Sequence, residues 1–175
     1  MNNTKDEEKI KSVISELKPG MIINGTVKNI KPYGAFIQIE EGVTGFLRID
    51  DISVSRIKTP NERLNIGQNV KIMVKSIEED KNRINFTYKE LLGNWEENAK
   101  LYKEKSFTKG IVKGADKFKN GLFVELTPNL VGMAEYQEGY NYGQEVNVFI
   151  KKILKDKKKI KLDIVKNKEE LKNGR

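Results

Sequence analysis

The chain has no cysteine and no histidine. Without cysteine there are no disulfides and no thiolate chemistry. Without histidine the side chain most used for proton transfer near neutral pH is missing. Together these absences leave no Cys or His cluster to hold a metal or supply a nucleophile, and no G-x-x-x-x-G-K loop is present to cradle a nucleotide. Glu79 and Asp80 are adjacent acids on a turn, not two carboxylates facing each other across a cleft. The expectation is a protein without catalysis, metal or cofactor. No apolar run approaches the ~18 residues of a membrane helix. The opening MNNTKDEE lacks the basic-then-apolar order of a signal peptide, so a cytoplasmic protein with no membrane contact is expected.

Charge, by contrast, is plentiful. Of 175 residues 33% are charged, the net charge is +8, and the mean hydropathy is −0.61 with a pI near 9.4. The length allows one large or two small domains with modest cores, and the positive balance favours a polyanionic partner.

The stretch Gly25 to Ile49, GTVKNIKPYGAFIQIEEGVTGFLRI, carries the strongest pattern. Two strand-like runs, Ile30–Glu40 and Gly45–Ile49, flank a tight Glu-Glu-Gly turn. Ala35, Ile37 and Ile39 alternate with Phe36 and Gln38, and a period of two sends one set into a core and the other outward. Leu47 and Ile49 share the inward parity, leaving Arg48 outside. Tyr33 and Phe36 beside a guanidinium form a base-stacking surface for single-stranded nucleic acid, or else ordinary exposed rings.

Residues 4–17 have capping-box spacing at Thr4 and Glu7 and an apolar stripe at Ile10, Val13, Ile14 and Leu17, which predicts a helix. It either packs on the domain that follows or connects to one further upstream. After the hairpin, 50–66 reads as a loop with a helical turn. Strands follow at Asn69–Ile77 and Arg83–Tyr88 around the charged turn 78–82. Five strands in about 75 residues predict a small closed barrel of the OB type. At 93–104, Asn94 can cap a short helix with Trp95, Ala99 and Tyr102 on one face, and Trp95 reads as a packing anchor.

The pattern then recurs. Gly110, Gly121, Gly132 and Gly143 repeat Gly25, Gly34, Gly45 and Gly67, and Asp156–Ile160 repeats Asp80–Ile84. The interval between the third and fourth glycines shrinks from 22 residues to 11, so the second repeat keeps the strands and shortens the loop. The predicted fold is all-β: two tandem five-stranded OB-fold barrels joined by a short helix, with an N-terminal helix. The predicted segments are 1–16 (helix), 17–90 (first repeat), 91–104 (linker), 105–166 (second repeat) and a charged tail at 167–175.

The strings LKPGMIINGTVKNIKPYGAFIQIEEGVTGFLRIDDIS and GQNVKIMVKSIEEDKNRINFTYKELLG resemble the S-one RNA-binding domain. The resemblance spans the first repeat throughout and the second in outline. It implies an OB barrel that binds single-stranded RNA on the outer face of its second and third strands. The family's two platform aromatics fall on Tyr33 and Phe36. Its histidine falls on Arg48, which retains a stacking donor but removes pH dependence. Its acid falls on Glu79, with Asp80 adjacent, and its arginine on Arg83. In the second repeat Phe123 matches Phe36, while Asn120, Glu135, Lys155 and Lys159 stand for Tyr33, Arg48, Glu79 and Arg83. Phe118, Tyr136, Tyr140 and Tyr142 are rings that could rebuild a platform there, although the parity of Tyr136 argues for core.

Residues 17–90 hold 12 basic and 9 acidic side chains, and 101–166 hold 14 and 8. The run Lys155, Lys157, Lys158, Lys159 and Lys161 is either a backbone-tracking feature or a solvated hairpin tip. Three functions are open. The first is RNA binding in translation, on mRNA and with the small ribosomal subunit as a possible partner. The second is a protein-interaction scaffold on the ribosome. The third is the RNA-binding accessory part of a larger RNA-processing or transcription factor. A monomer is expected.

Overall fold

The computed structural model describes residues 3–116, 118 and 120–166; the expected charged tail lies outside them. Helix α1 (Asn3–Glu16) precedes strands β1 (Ile22–Lys31), β2 (Gly34–Glu40), β3 (Val43–Arg48), β4 (Asn69–Glu78) and β5 (Arg83–Thr87). A short helix α2 (Trp95–Ala99) leads to β6 (Phe107–Asp116), β7 (Gly121–Thr127), β8 (Leu130–Glu135), β9 (Glu145–Leu154) and β10 (Lys159–Val165). Each set of five closes into a barrel, in the orders β1-β2-β3-β5-β4 and β6-β7-β8-β10-β9. The single parallel pairing in each is β3 with β5 and β8 with β10. The predicted pair of OB barrels is therefore present. The chain divides into two compact units: the first takes in α1 and the first barrel, and the second begins at Leu92 and includes Val54–Arg56.

Alternation accounts for both cores. Ile37, Leu47, Ile72 and Phe86 are fully enclosed in the first, as are Val124, Val148 and Ile150 in the second. The first three recurring glycines of each repeat mark where backbones must approach other groups closely, whereas the fourth, Gly67 or Gly143, takes a positive φ in open space. A Cβ on Gly45 would strike the ring of Phe86, and one on Gly132 would come within 2.7 Å of Leu162. The third glycine of each repeat is thus a requirement of barrel closure.

One expected strand is divided. The alternation from Ile30 to Glu40 predicts a continuous run, but β1 ends at Lys31 and β2 begins at Gly34. Pro32 has no N–H for the ladder, so the chain turns at Pro32–Tyr33 and Tyr33 stands in that turn.

The stripe of α1 packs on the first core: Ile14 is buried, with Ile10, Val13 and Leu17 partly so. In the second unit Asn94 caps α2, its Oδ1 accepting from the Glu97 N–H at 2.8 Å. Trp95, Ala99 and Tyr102 pack on the second core. The Tyr102 hydroxyl donates to the Leu126 carbonyl at 3.1 Å, and burial pushes its pKa up. Asn98, unremarked in the sequence, is buried and fully used. Its Nδ2 donates to the carbonyls of Leu92 and Asn94 at 3.1 and 2.9 Å, and its Oδ1 accepts from the Thr127 hydroxyl at 2.6 Å.

Trp95 is half-buried rather than enclosed. Trp95→Ala is therefore expected to lower the stability of the second unit by about 2 kcal/mol, roughly half the ~3–5 of a fully buried aromatic. Urea unfolding checks this, and an unchanged midpoint would remove the ring's anchoring role.

Candidate nucleic-acid interface

The outer face of β2 and β3 carries rings because their neighbours face inward. Ala35, Ile37 and Leu47 are fully buried, which turns Phe36 and Phe46 to the opposite side. These two are direct partners in the β2–β3 register, with ring centroids 5.2 Å apart and planes tilted by 43°. Tyr33, 57% exposed in the preceding turn, lies 5.7 Å from the Phe46 ring. Phe46 thus stands between Tyr33 and Phe36. Gly34 makes this possible, because a Cβ there would lie 2.7 Å from the Phe46 ring. Phe46 is not among the residues expected from the sequence, although it shares the outward parity of Arg48 two residues on.

The rings line a groove of about 390 Å³ together with Thr44, Lys81 and Arg83. Tyr33, Phe36 and Arg83 are therefore brought together as expected residues of one surface. Arg48 is exposed at the end of β3, opposite Gly34, and stands outside this lining.

The acid beside Arg83 differs from expectation. Glu79 and Asp80 occupy a 3-10 turn, Glu79–Lys81, exposed and outside the groove. Strand β4 continues to Glu78, the register partner of Arg83, so Glu78 is the carboxylate that meets the guanidinium, at 3.8 Å. Glu78 also lies 3.9 Å from the Lys81 ammonium.

The second barrel repeats the frame with different side chains. Phe123 and Met133 are register partners on β7 and β8, and a Cβ on Gly121 would lie 2.6 Å from the Met133 sulfur. Met133 thus occupies the place of Phe46. The groove here is larger, about 540 Å³, and Phe123 is the one ring among its described lining residues. Lys159 and Lys161 reach it, whereas Lys155 stands in the hairpin turn outside. Lys151 pairs with Asp163 at 3.6 Å and Lys158 with Glu96 at 3.4 Å. The backbone N–H at the start of α2 holds the Glu96 carboxyl below its ordinary pKa, and Lys158 adds to that.

The other rings do not rebuild a platform. Tyr136 and Tyr140 pack on the second core, and Tyr142 lies under the Lys113 ammonium at 4.9 Å from its ring centre. Phe118 is fully exposed but outside the groove.

Residues 16–89 match the family model of the S1 RNA binding domain. A small ribosomal subunit protein bS1 homolog of Bacillus cereus is 35% identical over 170 residues, which is 90% of this chain and 44% of that protein. A 4-hydroxy-3-methylbut-2-enyl diphosphate reductase of Clostridium acetobutylicum is 30% identical over 175 residues, 92% of this chain and 27% of that protein. The chain thus spans less than half the length of these curated relatives. Among solved structures, GSP13 from Bacillus subtilis aligns over 74% of this chain and 95% of its own at 20% identity, with a TM-score of 0.42.

Proposed function

We propose that this chain, whose first barrel matches the S1 RNA binding domain over residues 16–89, binds single-stranded RNA without catalysing a reaction on it. The observation that carries this is the contiguous set Tyr33, Phe46 and Phe36, opening onto a groove bordered by Arg83 and Lys81. Bases of a single strand stack on such rings, whereas in a duplex those faces are already occupied by neighbouring bases. The cations beside the rings neutralise the phosphates that accompany the bases, and Arg48 extends this positive border past Tyr33.

In this reading the second barrel adds Phe123, Lys159 and Lys161 as a mainly electrostatic contact, with Lys155 at its margin. Glu79 and Asp80 sit on the turn at the edge of the first groove. The bS1 relatives, named as small ribosomal subunit proteins, support that subunit as the setting; mRNA as the strand and a cytoplasmic monomer acting in translation complete the proposal. The second groove favours one alternative, a protein-docking role: it is larger, has a single ring among its described lining residues, and carries Glu135 and Asp163 among its lysines.

Fluorescence anisotropy of the whole chain with a labelled RNA, single-stranded or annealed to its complement, tests the proposal. Tighter binding of the single strand is expected, and equal binding of the duplex would overturn the stacking site. Recovery of ribosomal subunits rather than free RNA in a native-salt pull-down would place the protein on the ribosome.

The chain has no histidine, so none of its side chains ordinarily titrates near neutrality. RNA affinity is therefore expected to stay flat between about pH 6 and 8 at constant ionic strength, within the roughly twofold spread of such titrations. A clear midpoint within that window would show that a group outside the proposed set controls binding.

A further inference from the structure

Asn85 lies on β5 between Ile84 and Phe86, both fully buried, so its own side chain is on the outer face. It is the register partner of Phe46 across the parallel β3–β5 pair, and so borders the aromatic set on the side away from Phe36. Its Nδ2 donates to Ser76 Oγ at 3.0 Å and to Glu78 Oε2 at 3.3 Å.

These two bonds determine which way the amide points. An ionised carboxylate only accepts, so the atom facing Glu78 is the NH2 group. Both amide hydrogens are then engaged. The remaining atom, Oδ1, accepts from no group among the described residues and is not enclosed. Glu78 is itself placed by Arg83 and Lys81 at 3.8 and 3.9 Å. Beside the central ring of the groove the protein therefore presents an oriented acceptor with no donor of its own to spare.

We propose that Asn85 is a specificity-determining residue that favours an amino-bearing base on Phe46, cytosine over uracil in the cleanest comparison. The proposal rests on the reading that single-stranded RNA occupies the first-barrel face. The two pyrimidines stack alike but differ at one edge. Cytosine offers an exocyclic amine that can donate to Oδ1. At the same position uracil offers a carbonyl, whose lone pairs meet those of Oδ1 and the carboxylate of Glu78. Uracil's one ring N–H lies between two carbonyls and reaches an acceptor only by bringing them close to it. A freely turning asparagine would accommodate uracil by presenting its NH2, but this one has both hydrogens committed.

The test uses the whole chain with oligocytidine and oligouridine nonamers, read by anisotropy at one salt concentration. The wild type is expected to bind oligocytidine about three- to tenfold more tightly, the range of one net hydrogen bond. Asn85→Ala should bring the two within about twofold, chiefly by weakening oligocytidine. Glu78→Gln is a second arm: a glutamine can donate to Oδ1, which releases the amide orientation, so the preference should narrow while oligouridine binding is retained. A wild type without the preference, or a preference that survives both substitutions, overturns the proposal. If the wild type binds neither oligomer, the RNA reading fails and takes this proposal with it. Binding of both without preference removes this proposal alone.

Discussion

Phe46→Ala is expected to weaken single-stranded RNA binding more than Phe36→Ala does, by about 5- to 150-fold, the ~1–3 kcal/mol of one base–aromatic stack. The reason is position. Tyr33 and Phe36 each contact Phe46. Removing the middle ring therefore leaves two separate aromatics, neither held by an aromatic neighbour, where there had been a continuous surface. Removing Phe36 still leaves the Tyr33–Phe46 pair. Because Phe46 also packs over Gly34, loss of binding must be separated from loss of fold. Phe46→Leu restores much of the packing without the π-face, so it should keep the thermal midpoint near wild type and still bind RNA weakly. Anisotropy at fixed salt and a thermal melt on the same samples check both statements. Wild-type affinity in a folded Phe46→Ala protein would show that the groove is not where bases stack.

That Phe46 emerged only from the structure shows what the sequence conveys and what it leaves out. The barrels were legible because their signals are local: period-two alternation, turn residues, and glycines recurring at matched places in two repeats. The likeness to a known family, by contrast, points only to the positions of that family's site. Phe46, Met133 and Asn85 fall outside that list even though simple parity turns each of them outward. Other features depend on contacts between segments that no spacing encodes. Glu78 rather than Glu79 faces Arg83 because β4 runs one residue further before the chain curls into its turn. Tyr33 left its expected strand because a proline beside it cannot join the ladder. Asn98 looks like any helix-surface polar residue in sequence, yet its partners Leu92 and Thr127 enclose it only when α2 meets the second barrel.

Replacing Lys155, Lys159 and Lys161 together with alanine should have a large effect that depends on salt, unlike the loss of a ring. Each phosphate neutralised on a single strand contributes roughly −0.7 to the slope of log affinity against log salt. If all three lysines meet phosphates, the variant should flatten that slope by about 2, making it roughly tenfold or more weaker than wild type at low salt and close to it at high salt. Lys158 and Lys151 are left in place because they are already paired with Glu96 and Asp163; removing them would release an acid as well as remove a cation. Phe46→Ala should behave oppositely, with an offset at every salt concentration and an unchanged slope, because stacking releases few counterions. Measuring both variants and wild type across one salt series therefore separates the two barrels without cutting the chain. The double change should give the offset and the flattening together, since the two sets of side chains lie on different barrels. Should the triple lysine variant keep the wild-type slope, the run is a solvated hairpin tip and the second barrel does not follow the RNA backbone. Its larger groove around Phe123 and Met133 would then be the stronger candidate for a protein partner.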